Sequence, residues 1–381
     1  MNPKLIHSAA FKLRSFPQSG IPPDKRVLCG IGWGKKTPPS VSILSKPRAK
    51  ARGAEGLIVS PAPHLHKKES VSRIMWLVVL SLLPSGAAGV WIFGFKALWV
   101  IILAVAAALA TEAILQFSTK RKISVLDGSA FITGLLLAYN LPPEVPFWLP
   151  VIGAVFAIAI GKQIFGGLGQ NIFNPALVGR VFLMASWPKY MTTFPPTLIK
   201  NLLQGGAESY DAVTSATPLM LLKEGSVIAA KRISYLDLFL GKHGGCIGEV
   251  CILALLIGAA FLFYKGYISW HIPLTYIATV GLFTLTFGHG GLFSGDWLFH
   301  LLSGGLILGA FFMATDYVTS PLTYKGQIIF AIGCGILTAV IRLWGGYPEG
   351  VSYAILMMNA ATPIIDRYTR SRVYGASKRK A

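Results

Sequence analysis

Between two strongly apolar halves the chain carries a small, polar, turn-prone stretch, Asp211 to Leu219, reading DAVTSATPL. Its chemistry centres on Thr217. A threonine hydroxyl can carry a phosphoester, and Ser215 and Ala216 are small enough to let a modifying enzyme approach the backbone. Pro218 pushes Thr217 toward an extended conformation and so toward exposure. The run that follows, LMLLKEG, predicts a short helix ending at Gly225, with Thr217 as its cap and Pro218 at its first position. Free N–H groups and a positive dipole end at such a start suit a phosphate. The same residues also make an ordinary capped helix start. The stretch therefore permits a phosphate-linked group without demanding one.

Other residues stand out because they are ionisable within apolar runs. Asp316, in MATDYVTSP, falls at the inner end of a span. It reads either as an ion-handling group or as a cap on the next turn. Glu112 lies one to two turns inside a span, with ion handling set against snorkelling or a local pair. Lys162 and Arg342 end their spans and read as interfacial anchors. The loops GGLGQN (Gly166 to Asn171) and GGYPEG (Gly345 to Gly350) suit backbone nests for an anion, or plain re-entrant turns. Cys29, Cys246, Cys251 and Cys334 contain no CxxC pair, so no metal centre is expected and buried thiols are. His243, His271, His289 and His300 are too scattered for a haem pair. No residue is assigned a catalytic role.

The elements that must position these groups are membrane helices. Of 381 residues, 53% are hydrophobic and 13% charged, about half the charged share of a soluble domain. The net charge of +20 gathers at the edges of apolar runs, which argues against nucleic acid as a partner and for the cytoplasmic face of a lipid membrane. Residues 1–56 are basic, rich in Pro, Gly and Ser, and read as a disordered cytoplasmic extension. Ten spans are expected: Ile74–Ile92, Lys96–Phe117, Gly128–Leu141, Phe147–Gly161, Asn174–Trp187, Gly248–Tyr264, Ser269–Phe287, Trp297–Ala314, Gly326–Leu343 and Gly350–Ile365. Several are short or re-entrant. Basic flanks put both termini in the cytoplasm, and the link holding DAVTSATPL on the outer face.

DGSAFITGLLLAYNLPP, then a span, then GKQIFGGLGQNIFNP is matched by SGGLILGAFFMATDYVTSP, a span, then IRLWGGYPEGVSYA. The two fall on opposite sides of the membrane. This yields an all-α polytopic membrane protein of about ten transmembrane helices in two inverted five-helix repeats, 57–187 and 248–366. An outer-face link, 188–247, joins them, and a basic cytoplasmic tail, 367–381, follows. Such a scaffold serves a secondary transporter or channel, or a redox component of a larger complex.

DAVTSATPL resembles the flavin-attachment motif of bacterial respiratory membrane complexes, with Asp211, Thr214, Ser215, Ala216 and Thr217 filling it. Ser215 stands where Gly is frequent, and Pro218 and Leu219 follow. LIVSPAPH, DGSAFITGLLLAYNLPP, GGLGQNIFNPA and MATDYVTSP resemble the D subunits of Rnf complexes (the RnfD/NqrB family), from about Leu57 to Asp366. The extension before it is atypical, with a natural start expected near Glu55. The resemblance implies an electron-transfer component of an ion-translocating ferredoxin:NAD oxidoreductase in the bacterial inner membrane, coupled to Na+ or H+. It also implies FMN esterified to Thr217 by a flavin transferase, and other Rnf proteins as partners, including the flavin-bearing RnfG and the membrane components RnfA and RnfE. A second, non-covalent riboflavin follows from the related NqrB proteins of Na+-translocating NADH:quinone oxidoreductases, which are themselves the alternative family assignment. Asp316 and Glu112 are the candidate ion-pathway residues.

Overall fold

The structure, a computed structural model, describes residues 70–121, 124–194, 217–223, 234–288, 293, 295–347 and 349–370. Apolar runs of the kind read above fold as helices because every backbone polar group is then satisfied within its own segment. Among the described residues every regular element is helical and there is no strand. The first half comprises α1 (Val71–Phe93), α2 (Phe95–Ser118), α3 (Ser129–Tyr139), α4 (Trp148–Ile158, continued by a π-helical turn, Ala159–Gln163) and α5 (Pro175–Ser186). Short helices follow: α6 (Pro188–Thr192), α7 (Pro218–Lys223) and α8 (Tyr235–Leu240). The second half holds α9 (Ile252–Lys265), α10 (His271–Phe287), α11 (Trp297–Leu302), α12 (Leu306–Leu308, continued by a π-helical turn, Gly309–Met313), α13 (Tyr324–Trp344) and α14 (Val351–Thr369).

α1, α2 and α13, of 23, 24 and 21 residues, are long and apolar enough to cross a membrane. α3, α4 with its π turn, α5, α9 and α10 are shorter apolar helices. The expected span Trp297–Ala314 is not continuous. It breaks between α11 and α12, where Gly304 takes a left-handed φ of 70° that a side chain would strain. Carbonyls freed by the break need donors, and Arg342 of α13 supplies them, reaching His300 O at 2.5 Å and Ser303 O at 3.1 Å. The first half contains a counterpart. Gly128, φ 85°, starts α3, and Lys162 from the end of α4 reaches Ser129 Oγ at 2.6 Å. Lys162 and Arg342 are thus not interfacial anchors. They are 2% and 4% exposed, Lys162 drawn inward by the Glu112 carboxylate and the Ser129 hydroxyl and Arg342 by the carbonyls at the break.

Helix pairing also recurs. α2 packs on α4 and α4 on α5, as α10 packs on α13 and α13 on α14. Across the halves, α1 packs on α9 and α5 on α14. Small residues permit the first crossing: a Cβ on Gly258 of α9 would collide with Ser81 O of α1. Ser85 Oγ ties the seam by donating to Gly248 O at 2.7 Å, and within the first half Tyr139 Oη of α3 donates to Leu82 O of α1 at 2.8 Å. The main core, including Leu82, Leu137, Tyr139, Leu255, Tyr276 and Phe330, draws on both halves.

Candidate functional site

Thr217 caps α7. Its Oγ1 accepts Met220 N–H at 3.3 Å, and its carbonyl accepts Met220 and Leu221 N–H at 2.9 and 3.0 Å. Pro218 fills the first helical position, where its missing N–H costs nothing. The expected exposure is reversed: Thr217 is 5% exposed. The physical reason lies two residues on, where Leu219 is buried with Leu238 of α8 and Phe299 of α11. That small cluster draws the start of α7 inward. α7 is also only six residues long, so it lends no summed dipole to anion binding, and its Met220 and Leu221 N–H groups are already taken by Thr217. Asp211, Thr214, Ser215 and Ala216 lie outside the described residues.

Thr217 lines a cavity with an empty volume of about 510 Å³. Its other walls include Arg180 and Met184 of α5, Met191 of α6, and Tyr347, Glu349 and Tyr353 around the start of α14. Tyr347 and Tyr353 stack with centroids 5.0 Å apart and planes at 25°. Arg180 is buried, bonds Asn140 Oδ1 at 2.5 Å and pairs with Glu349. Lys223, at the end of α7, donates to Tyr347 O at 2.8 Å, and partial burial holds its ammonium below the ordinary lysine value. The site therefore offers a hydroxyl, two aromatic faces and a guanidinium around one space.

The ion-pathway candidates lie elsewhere. Glu112 of α2 is 1% exposed. Its Oε1 accepts from Lys162 Nζ at 2.7 Å, Gln116 Nε2 at 3.0 Å and Gln163 Nε2 at 3.2 Å. Asp316 accepts Val318 N–H at 3.4 Å and Thr319 Oγ1–H at 3.3 Å, which is the cap geometry. It also lines a second cavity, of about 850 Å³ empty volume, with Ser129, Lys162, Asn171 and Asn174. α5 connects the two cavities: Asn174, its N-cap, lines the second and Arg180 the first. Between them Asn174 Nδ2 reaches Met313 O at 3.4 Å, and Asn140 Nδ2 reaches Met313 Sδ at 3.7 Å.

Sequence reading singled out neither Arg180 nor Glu249 and Glu349. For Arg180 a signal existed, a lone cation inside the apolar run NPALVGRVFLM. Glu349 sits in a glycine-rich turn where a charge looks unremarkable. Cys246, Glu249 and Glu349 gather their donor atoms within 4.8 Å of one another. Arg180 touches two of the three, Cys246 Sγ at 3.8 Å and the Glu349 carboxylate, and its charge opposes a bound cation there.

Comparison with known proteins bears on the whole constellation. Over 329 residues the chain is 52% identical to the D subunit of the Na+-translocating ferredoxin:NAD+ oxidoreductase complex of Acetobacterium woodii, covering 85% of this chain and 97% of that one. It is 49% identical to the D subunit of the proton-translocating ferredoxin:NAD+ oxidoreductase complex of Clostridium ljungdahlii (84% and 96% covered). With the D subunit of the ion-translocating oxidoreductase complex of Stutzerimonas stutzeri it shares 43% (82% and 94% covered). A profile of the NQR2, RnfD, RnfE family matches residues 58–375, a span that contains both cavities and all the groups around them, and the chain belongs to that family.

Proposed function

We propose that the chain is the D subunit of an ion-translocating ferredoxin:NAD oxidoreductase complex in the bacterial inner membrane, an electron-transfer component with FMN esterified to Thr217. Similarity over nearly the full length of named D subunits carries the first part. The placement of Thr217 carries the second. Its buried hydroxyl opens on a space with stacked tyrosine rings and an arginine, a set that fits a planar ring system linked through a phosphate. When bound, the flavin supplies one- and two-electron exchange. The chain's own residues hold and enclose it: Pro218 fixes the backbone after the attachment point, Tyr347 and Tyr353 offer ring faces, and Met184 and Met191 help to exclude water. Because the hydroxyl is buried, the transferase must act before this segment docks, or on an opened form.

The test is in-gel flavin fluorescence after denaturation, with a co-expressed transferase. Wild type is expected to fluoresce and Thr217→Ala to be dark. A dark wild-type band, or an intact mass lacking an FMN-sized increment on the Thr217 peptide, overturns the attachment.

Ten spans in two inverted five-helix repeats form part of the same proposal, with both termini cytoplasmic and Thr217 toward the outer face. The recurring helix pairs and the matched Gly128–Lys162 and Gly304–Arg342 arrangements support it. RnfG would then meet the outer face, and RnfA and RnfE the lipid-embedded flanks. A second, non-covalent riboflavin would take the larger cavity, where Lys162, Ser129, Asn171 and Asn174 supply polar groups. Asp316 in that cavity, and Glu112 through Lys162, are the proposed ion-responsive residues.

A further inference from the structure

Beside the Thr217 cavity lies a group of ionisable side chains that flavin attachment does not use. Cys246 Sγ and carboxylate oxygens of Glu249 and Glu349 lie within 4.8 Å of one another. The three residues are 1%, 4% and 9% exposed. From α5, Arg180 pairs with Glu349. From α13, Arg342 is turned to three carbonyls, those of Glu349 at 3.1 Å, His300 at 2.5 Å and Ser303 at 3.1 Å. Also near it are His243 from the loop before α9, Tyr347 and Tyr353 from around the start of α14, and Tyr276 of α10 on the Arg342 side.

Glu249 is the member that the arrangement leaves unresolved. Its Oε1 accepts Cys246 N–H at 3.1 Å, while Oε2 is buried with no hydrogen-bond partner. Oε2 lies against Gly305, where a Cβ would come within 2.8 Å of it. The break between α11 and α12 therefore makes the room that this oxygen occupies. A bare carboxylate oxygen in a dry site is costly, and a second carboxylate beside it disfavours two ionised forms. One proton removes both problems: the Glu249 acid becomes a donor, and Glu349 is the neighbouring acceptor, held on its other side by Arg180.

We propose that Glu249 and Glu349 hold one proton between them at neutral pH, forming a proton site next to the Thr217 cavity. The two guanidiniums, one paired with the Glu349 carboxylate and one with carbonyls, then stand against a single negative charge, so the cluster carries one uncompensated positive charge. The cavity wall is in mechanical contact with it. A Cβ on Gly304 would meet Leu219 Cδ1 at 2.8 Å, Arg342 Nη2 at 3.2 Å and Glu349 Cγ at 3.6 Å. An electron arriving on a group at Thr217 would tighten the hold on the shared proton, and loss of the electron would loosen it. That use rests on the flavin reading above, whereas the proton itself does not.

The decisive measurement is infrared spectroscopy on full-length protein carrying 13C-labelled glutamate, expressed without a flavin transferase. A carbonyl stretch of protonated carboxylic acid that shifts with the glutamate label is expected at neutral pH, and Glu249→Gln should lose it. Absence of a label-sensitive band in the wild type overturns the proposal, and so does full retention of the band in Glu249→Gln. Should that variant fail to fold, absence of the band from the labelled wild type still overturns the proposal, and its loss in Glu349→Gln but not in Glu112→Gln assigns it to this pair. No flavin is needed, so the outcome is independent of whether Thr217 carries one.

Discussion

Lys162 is bound by acceptors from two helices, Glu112 of α2 and Ser129 of α3, and its burial makes that pairing consequential. Removing one partner of a buried pair strands the other charge, at a cost of roughly 3–5 kcal/mol. Lys162→Met is therefore expected to lower the melting temperature in detergent sharply, and Glu112→Gln added to it should restore most of the loss. A single variant as stable as wild type would contradict the pairing. His243, in the loop before α9, gives a pH dependence. Burial holds its imidazole below the ordinary value, against the opposing pull of the Gly244 carbonyl at 3.0 Å. The unfolded chain takes up that proton at about pH 6.5. This contribution is thus fully present above that pH and lost as pH falls toward the depressed folded value. Melting temperature should drop on acidification, with a shallower fall in His243→Gln. Glu112 and Asp316 stand out in the sequence because an ionisable group in an apolar run is conspicuous, and Thr217 because its polar stretch interrupts two apolar halves. The Arg180–Glu349 pair was not, since its members are 169 residues apart and pattern carries no distance.

Helices were legible wherever an apolar run was long, as in α1, α2 and α13. Their breaks were harder to see. The run Trp297–Ala314 looks continuous, and what allows α11 and α12 to part is an arginine 39 residues beyond Ser303 that donates to the buried carbonyls of His300 and Ser303. Arg342→Met is expected to leave those carbonyls unsatisfied at roughly 1–3 kcal/mol each, read as faster proteolysis around residues 302–306 as well as a lower melting temperature. The α1–α9 seam makes a second demand on element geometry. Gly258→Val would force α9 off Ser81, and overpacking of this kind costs typically about 1–3 kcal/mol. An unchanged melting temperature for Gly258→Val would mean that the two helices are not in contact.

For the whole molecule, the expected topology is checkable with reporter fusions. A cytoplasm-active reporter joined after residue 370 should be active, and a periplasm-active one inserted after residue 194 should be active too. The proposed orientation rests on basic flanks that the sequence displays, but the joining of the two halves could not be read there, because it depends on side chains such as Asn140, Asn174 and Met313 meeting across long separations. The space beside Thr217 is walled by α5 on one side and by Tyr347 to Tyr353 on the other, so each half of the chain owns one jaw. Any sliding of the halves must open or pinch it. Emission from a fluorophore seated there would then act as a built-in strain gauge, reporting on the spacing of the halves without an added label.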